Sequence, residues 1–323
     1  MSEFAIHMGD CIAGMPTELG DDSVDLTVTS IPFGSLFMYS GKNEDVGNNV
    51  DGVDMKSDMF GLHMRFFCAQ LLRAHKPGTN VCVHIQQLVT YRVQHGYMGR
   101  RDFRGAVIDL FECAGFEWKG EVSIPKNPQV IARRQKLHSL LFKTAKTNAR
   151  NLAPAVNDFL LIFQKPGEAV PVKAMRHEGN PDGWITGSDW IRWARGTWDD
   201  IRETDVLEGW KTAREDEDEK HVCPLQLEVI RRCVMLYSNP GELVLDPYMG
   251  IGSTAYTALG GVSPATGLAV GAPRRVVGFE LKESYHASAV KNAQMALDGG
   301  RDDNQLTLDA ARADIHAVTE AAA

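Results

Sequence analysis

The chain has 323 residues, 44% of them hydrophobic and 24% charged, with a formal net charge of −8. This composition suits one large globular domain or two smaller ones, and no apolar run approaches the roughly 18 residues a membrane span requires. The negative balance gives no general affinity for polyanions, and six scattered cysteines without a C-x-x-C pair argue against a zinc knuckle or a disulfide framework and suit a reducing cytoplasm. The start, MSEFAIHMGDC, has no charged stretch followed by an apolar one, so no signal peptide and a cytoplasmic location are expected.

In chain order, FAIHMGD and VDLTVTSI read as short buried strands, with a helix or turn over CIAGMPTELGDDS between them. VGNNVDGVDMKSD is polar and rich in Gly and Asn, which predicts a mobile loop over Gly41–Asp54. Phe60, Met64, Phe67 and Leu71 share one helical face, and Lys76-Pro77-Gly78 is expected to stop that helix. NVCVHI follows as a strand, and DFRGAVIDLFECAGF as an amphipathic helix ending at Gly115. WKGEVSI and DFLLIFQKPG are strands flanking a basic middle segment. From His84 to Arg150 there are twelve Lys and Arg against five Asp and Glu, a local surplus that a polyanion could use or that could be a solvated face.

Residues 168–220 differ in character. They hold five of the six tryptophans (Trp184, Trp190, Trp193, Trp198, Trp210) and the acidic run EDEDEK, and they read as an irregular insert. For the tryptophans, a small local core is favoured over stacking on bases. The chain then resumes with a helix (PLQLEVIRRCVMLYS), a strand (ELVLD), a Gly-rich turn (PYMGIGST), a helix, a strand (RRVVGFEL) and a helix (ESYHASAVKNAQMAL). Strands alternating with helices predict an α/β fold with a mostly parallel, doubly wound sheet. The final residues, 301–323, read as a frayed tail.

The turn after ELVLD carries chemistry. Gly250 and Gly252 allow a ligand close to the backbone, and Glu280 ends the next strand 28 residues after Gly252. A carboxylate there can accept two ribose hydroxyls. The third glycine of the dinucleotide fingerprint is missing, and no lysine follows Gly252 as in a P-loop. An acid-Pro-aromatic head before Gly-x-Gly fits a nucleoside without phosphates.

At these residues the chain resembles the amino DNA methyltransferases, which methylate exocyclic amines of adenine or cytosine. NPGELVLDPYMGIGSTAYTAL with RRVVGFELKESYHASA is similar to their cofactor half, and IHMGDCIAGMPTELGDDSVDLTVTSIPF to their catalytic opening. NDFLLIFQKPG matches a later family strand. The resemblance implies S-adenosylmethionine held by Asp10, Cys11, His221, Pro224, Leu225, Asp246, Pro247, Tyr248, Gly250, Gly252, Ser253, Thr254, Glu280 and Leu281, with Asp10 on the adenine and Glu280 on the ribose. It implies a catalytic tetrad of Ser30, Ile31, Pro32 and Phe33. Catalytic half first and cofactor half last is the order of the permuted β group, with a methyltransferase core over 1–167 and 221–300, and residues 168–220 as a target-recognition insert.

The family has Pro-Pro where this chain has Ile31-Pro32. The first proline's carbonyl oxygen is also present in isoleucine, while rigidity is lost. In the expected reaction Ser30 Oγ and the Ile31 carbonyl grip the amine, and Phe33 stacks on a base flipped out of double-stranded DNA. Phosphate or base contacts are expected from Arg100, Arg101, Arg104, Lys126, Arg133, Arg134, Lys136, Arg192 and Arg195. A homodimer is expected, and no metal. Adenine N6 is narrowly favoured and cytosine N4 stays open, because Ser30 is more typical of the cytosine members. A catalytically weak DNA-binding relative, suggested by Ile31, and an enzyme acting on RNA or a small molecule, suggested by the net charge, are the alternatives. Cys223-Pro224 reverses the Pro-Cys order of cytosine carbon-5 enzymes, so all six cysteines read as structural.

Overall fold

Seven strands form one sheet in the computed structural model, which describes residues 3–33, 59–90, 92–134, 141–207 and 224–299. The loop at 41–54, Lys136, Trp210, EDEDEK, His221, Cys223 and the tail lie outside the described residues, as do the side chains of Arg133 and Arg134. The chain runs β1 (Phe4–Met8), α1 (Cys11–Glu18), β2 (Val24–Ser30), α2 (Met59–Ala74), β3 (His75–Gln86), β4 (Leu88–Thr90), α3 (Arg92–His95), β5 (Gly99–Arg101), α4 (Phe103–Ala114) and β6 (Glu117–Ile124). It continues with α5 (Pro128–Arg134), α6 (Phe142–Thr147), β7 (Asp158–Gln164), α7 (Gly187–Trp193), α8 (Leu227–Tyr237), β8 (Leu243–Asp246), α9 (Ser253–Ala258), β9 (Arg275–Glu280) and α10 (Glu283–Leu297).

The strand order is β1-β9-β8-β2-β3-β7-β6. The first five are parallel, β7 is antiparallel to β3, and β6 is antiparallel to β7. This is the mostly parallel α/β sheet expected from the alternating strands and helices. β4 and β5 form a separate small hairpin inside the basic segment.

Both faces are covered, which explains the near-continuous apolar strands. Leu26, Val28, Cys82, Leu160, Val244 and Val276 face a core built with α8, α9 and α10. Val81, Val83, Ile85, Leu161, Phe163 and Leu245 face the core of α1, α2 and α4. Local chemistry sets the helix ends. Asp102 caps α4 by accepting from Gly105 N, and Gly115, at φ 108°, closes it in the left-handed conformation. Lys76-Pro77-Gly78 does follow the end of α2, but within β3 and without an intervening loop. Gly78 has φ 76°, and an added Cβ would lie 2.5 Å from the Ala169 nitrogen, so the sharp entry into β3 requires glycine. No helix among the described residues is long and apolar enough to cross a membrane.

Candidate active site at the sheet's switch point

From β8 the chain moves outward to β9, and from β2 it moves the other way to β3, yet β8 and β2 are neighbours. In open α/β sheets ligands bind in the crevice outside the strand carboxyl ends at such a reversal. Here the two strand ends are Asp246 and Ser30. Thr29 Oγ donates to Asp246 Oδ1 at 2.7 Å, and Thr254 Oγ donates to Val28 O at 3.2 Å. The Ser-Ile-Pro-Phe and Gly-x-Gly segments, more than 200 residues apart in sequence, are therefore held together by hydrogen bonds from the strand that leads into the first. Burial pushes the Asp246 carboxyl up to about 6, against the pull of the Thr29 hydroxyl.

On the β8–β9 side, Gly250 (φ 55°) has open space where a Cβ would stand, and Gly252 (φ 90°) packs on α10, where a Cβ would lie 2.8 Å from Ala289 Cα. Ser253 Oγ is buried without a hydrogen-bond partner among the described residues. Glu280 Oε2 accepts from Gly250 N at 2.7 Å and Oε1 from Lys282 N at 2.8 Å. Burial raises the Glu280 carboxyl to about 7, opposed by those two N–H groups. β1 pairs with β9 so that Met8 stands opposite Glu280, which brings Asp10, the cap of α1, to the same edge. Leu225 is buried ahead of α8, with Pro224 half-buried before it. Tyr248 packs its ring on Phe67, 5.2 Å between centroids, and Pro247 is buried in the same turn. Burial pushes the Cys11 and Cys68 thiols far above the ordinary range, which keeps them protonated and inert. A partnerless buried hydroxyl, a glycine that leaves the backbone open at 250 and two carboxylates at one edge fit a nucleoside cofactor.

On the β2–β3 side, Ile31 is 1% exposed and sits in the core beside Phe60 and Phe103. Burial supplies part of the rigidity that a proline would have given. The Phe33 ring lies 5.9 Å from that of His84 and edge-on to Phe103 at 6.4 Å. Ser30 Oγ lies 2.9 Å from His84 Nδ1, and His84 Nε2 lies 3.0 Å from Asp158 Oδ2. Asp158 also accepts from Gln86 Nε2 at 3.0 Å and pairs with Lys126 Nζ at 2.6 Å. Burial alone would raise the Asp158 carboxyl, but the His84 hydrogen bond and the Lys126 charge outweigh it and hold the group below its ordinary range. Sequence reading missed His84, Gln86 and Asp158. The available signal was a polar residue at the end of an otherwise apolar strand, repeated in NVCVHI and DFLLIF.

The described candidate DNA-contacting cations differ in burial and in partners. Lys126 is 7% exposed and committed to Asp158, which removes it from the phosphate-contacting set. Arg104 pairs with Glu121, and Arg100 donates to Gly99 O and Pro154 O. Arg101 lies in β5, half-buried. Arg192 is exposed and paired with Asp189 at 2.7 Å, and Arg195 is exposed. Of the tryptophans, Trp193 and Trp198 are buried in the core under α8, with Arg232 over both rings, and Trp184 Nε1 donates to Met235 O. They belong to the main core rather than to a small local one, and Trp190 stays exposed.

A family model described as DNA methylase matches residues 24–291. Among solved structures, TTHA0409 of Thermus thermophilus, described as a candidate DNA modification methylase and solved with S-adenosyl-L-methionine, is 18% identical. The match covers 91% of this chain and 95% of that one, with a TM-score of 0.61. The cytosine-N4-specific PvuII DNA methyltransferase is 16% identical over 95% of this chain and 91% of its own, with a TM-score of 0.58. No curated protein matches.

Proposed function

Because the chain belongs to the N6/N4 DNA methylase family, whose methyl donor is S-adenosylmethionine, we propose that it methylates the exocyclic amine of a base turned out of duplex DNA. The observation that carries this reading is the Thr29–Asp246 hydrogen bond at the switch point, which joins the Ser-Ile-Pro-Phe segment to the Gly-x-Gly turn. In this reading Glu280 holds the ribose hydroxyls, Asp10 faces the adenine, and Gly250, Gly252 and Ser253 line the approach. When bound, S-adenosylmethionine supplies an electrophilic methyl group on a sulfonium.

The barrier on the acceptor side is the delocalised lone pair of the amine. Two acceptors directed at its protons draw the nitrogen towards tetrahedral geometry and free the pair for in-line attack. Ser30 Oγ and the Ile31 carbonyl are those acceptors, and Phe33 offers a flat face to the base. The resemblance narrowly favours adenine N6, whereas Ser30 at the head of the tetrad favours cytosine N4. Exposed Arg192 and Arg195 and the remainder of residues 168–220 are the proposed target-recognition region, with phosphate contacts from the basic segment.

The test is transfer of labelled methyl from S-adenosylmethionine to DNA of mixed sequence, followed by digestion to nucleosides and mass spectrometry. Methylated adenine at N6 is expected, and N4-methylcytosine would establish the second reading. Label confined to RNA, or none in DNA despite intact cofactor and DNA binding, would overturn the proposal. Phe33→Ala is expected to remove transfer, by about 10²-fold or more, while the dissociation constant for S-adenosylmethionine stays near that of the parent chain.

A further inference from the structure

A serine at the head of the tetrad leaves a chemical step unassigned. Once the amine nitrogen has taken a methyl group it is cationic and must lose a proton. A serine hydroxyl already carries one hydrogen and is a weak base, so alone it can neither keep both lone pairs turned to the amine nor accept that proton. The residues behind Ser30 resolve both difficulties.

The row crosses four strands at one edge of the sheet. β2 and β3 pair Ser30 with His84, β3 and β7 pair Gln86 with Asp158, β6 and β7 pair Ile124 with Asp158, and Lys126 stands two residues past Ile124. His84, Gln86 and Asp158 are 7%, 8% and 5% exposed. The direction of the chain of hydrogen bonds follows from its far end. Asp158 takes a donor from Lys126 and another from Gln86, and the Lys126 charge keeps it ionised and accepting only. His84 therefore carries its hydrogen on Nε2, pointed at Asp158 Oδ2. In the neutral ring Nδ1 is then a bare acceptor, to which the hydrogen of Ser30 points. Both Ser30 lone pairs remain for the amine.

We propose that His84, held by Asp158 and Lys126, is the positioning residue that orients the Ser30 hydroxyl and takes the proton released on methyl transfer. This extends the function proposed above and rests on it. The amine nitrogen bonds the methyl carbon with its lone pair as the carbon–sulfur bond leaves its electrons on sulfur. The surplus amine proton passes to Ser30 Oγ while the hydrogen of Ser30 moves to His84 Nδ1. The resulting imidazolium faces the Asp158 carboxylate and returns its proton to water after product leaves. Among the described residues, the charged groups the structure gives around the ring are Asp158, bonded to it directly, and Lys126, bonded to Asp158.

Two measurements test this. The first is the single-turnover rate against pH, at saturating S-adenosylmethionine so that cofactor affinity drops out. The parent chain is expected to lose rate towards acid, as a step that hands its proton to a base requires. His84→Asn keeps an acceptor for Ser30, its Oδ1 standing where Nδ1 stood, but it cannot take the proton. It is expected to be slower by about 10²-fold, to lack the acid limb, and to bind DNA and cofactor within about threefold of the parent. An unchanged rate, or an acid limb that survives in His84→Asn, would overturn the proposal. The second is the ring-nitrogen NMR spectrum of the ligand-free protein, with the His84 signals identified by their loss in His84→Asn. The Nε2–H tautomer is expected, whereas an Nδ1–H tautomer would overturn the proposal without any activity being needed. If the parent chain labels no DNA, the function is at fault, and the tautomer still judges the hydrogen-bond chain.

Discussion

Ile31 and Glu280 show how single residues carry this site. Ile31 replaces a family proline, and its side chain is buried at 1% exposure in the core of α1, α2 and α4. Ile31→Ala is expected to cost about 2–5 kcal/mol of stability and to lower kcat more than it raises KM, because the carbonyl at that position loses its anchor. Chemical denaturation and steady-state kinetics read the two effects. Glu280 behaves differently because its carboxyl is raised from the usual 4.5 to about 7 in the fold. The protonated form is the one folding favours. Its stabilising contribution is full below about 4.5 and is lost as pH rises through about 7, so thermal unfolding of ligand-free Glu280→Gln should lack this loss. In its proposed role the ionised form accepts ribose hydroxyls. S-adenosylmethionine affinity should therefore rise with pH through about 7 in the parent chain and stay flat in Glu280→Gln, as titration calorimetry would show.

At the level of elements, α8 is the helix on which the segment from 168 to 207 is seated. Asp205 accepts from Glu228 N and Asp200 pairs with Arg232, while Glu228 accepts from both Arg231 and Arg232. Thr197 bridges to Ser123 of β6, so the segment also touches the antiparallel edge of the sheet. These contacts hold Trp193 and Trp198 in the core that backs the sheet. Trp198→Ala is expected to lower stability by about 3–5 kcal/mol in denaturant unfolding, with no stacking contribution to DNA affinity to lose. The sequence identified α8 by its apolar period. The burial of its charged residues was not legible there, because Asp200 and Asp205, which meet Arg232 and the Glu228 N–H, lie about 20–30 residues upstream in a stretch without periodicity.

Across the whole molecule, the net charge of −8 is set against a basic middle segment. Among its described residues, the short α6 and the 3₁₀ turn after it carry exposed Lys143, Lys146 and Arg150. If this surface meets phosphates as proposed, the logarithm of DNA affinity falls linearly with the logarithm of salt concentration. Lys143→Ala or Lys146→Ala should then each reduce that slope by about 0.9. Lys126→Met should leave the slope unchanged and slow turnover, since its ammonium is committed to Asp158. Fluorescence anisotropy over a salt series measures the first and single-turnover kinetics the second.

The sequence by itself determined what is local: the parallel α/β class, the order of strands and helices, the glycine turn with its carboxylate, and the Ser-Ile-Pro-Phe segment. Each is written in contiguous residues, where side-chain period, turn chemistry and capping act over a few positions. The tertiary structure alone decided which strands are neighbours. Periodicity tells which face a residue takes but not which strand lies beside it, so the Thr29–Asp246 link and the row Ser30, His84, Asp158, Lys126 were invisible in the chain. Four residues spread over more than 120 positions become one hydrogen-bonded line because three strand registers set them side by side at the same edge.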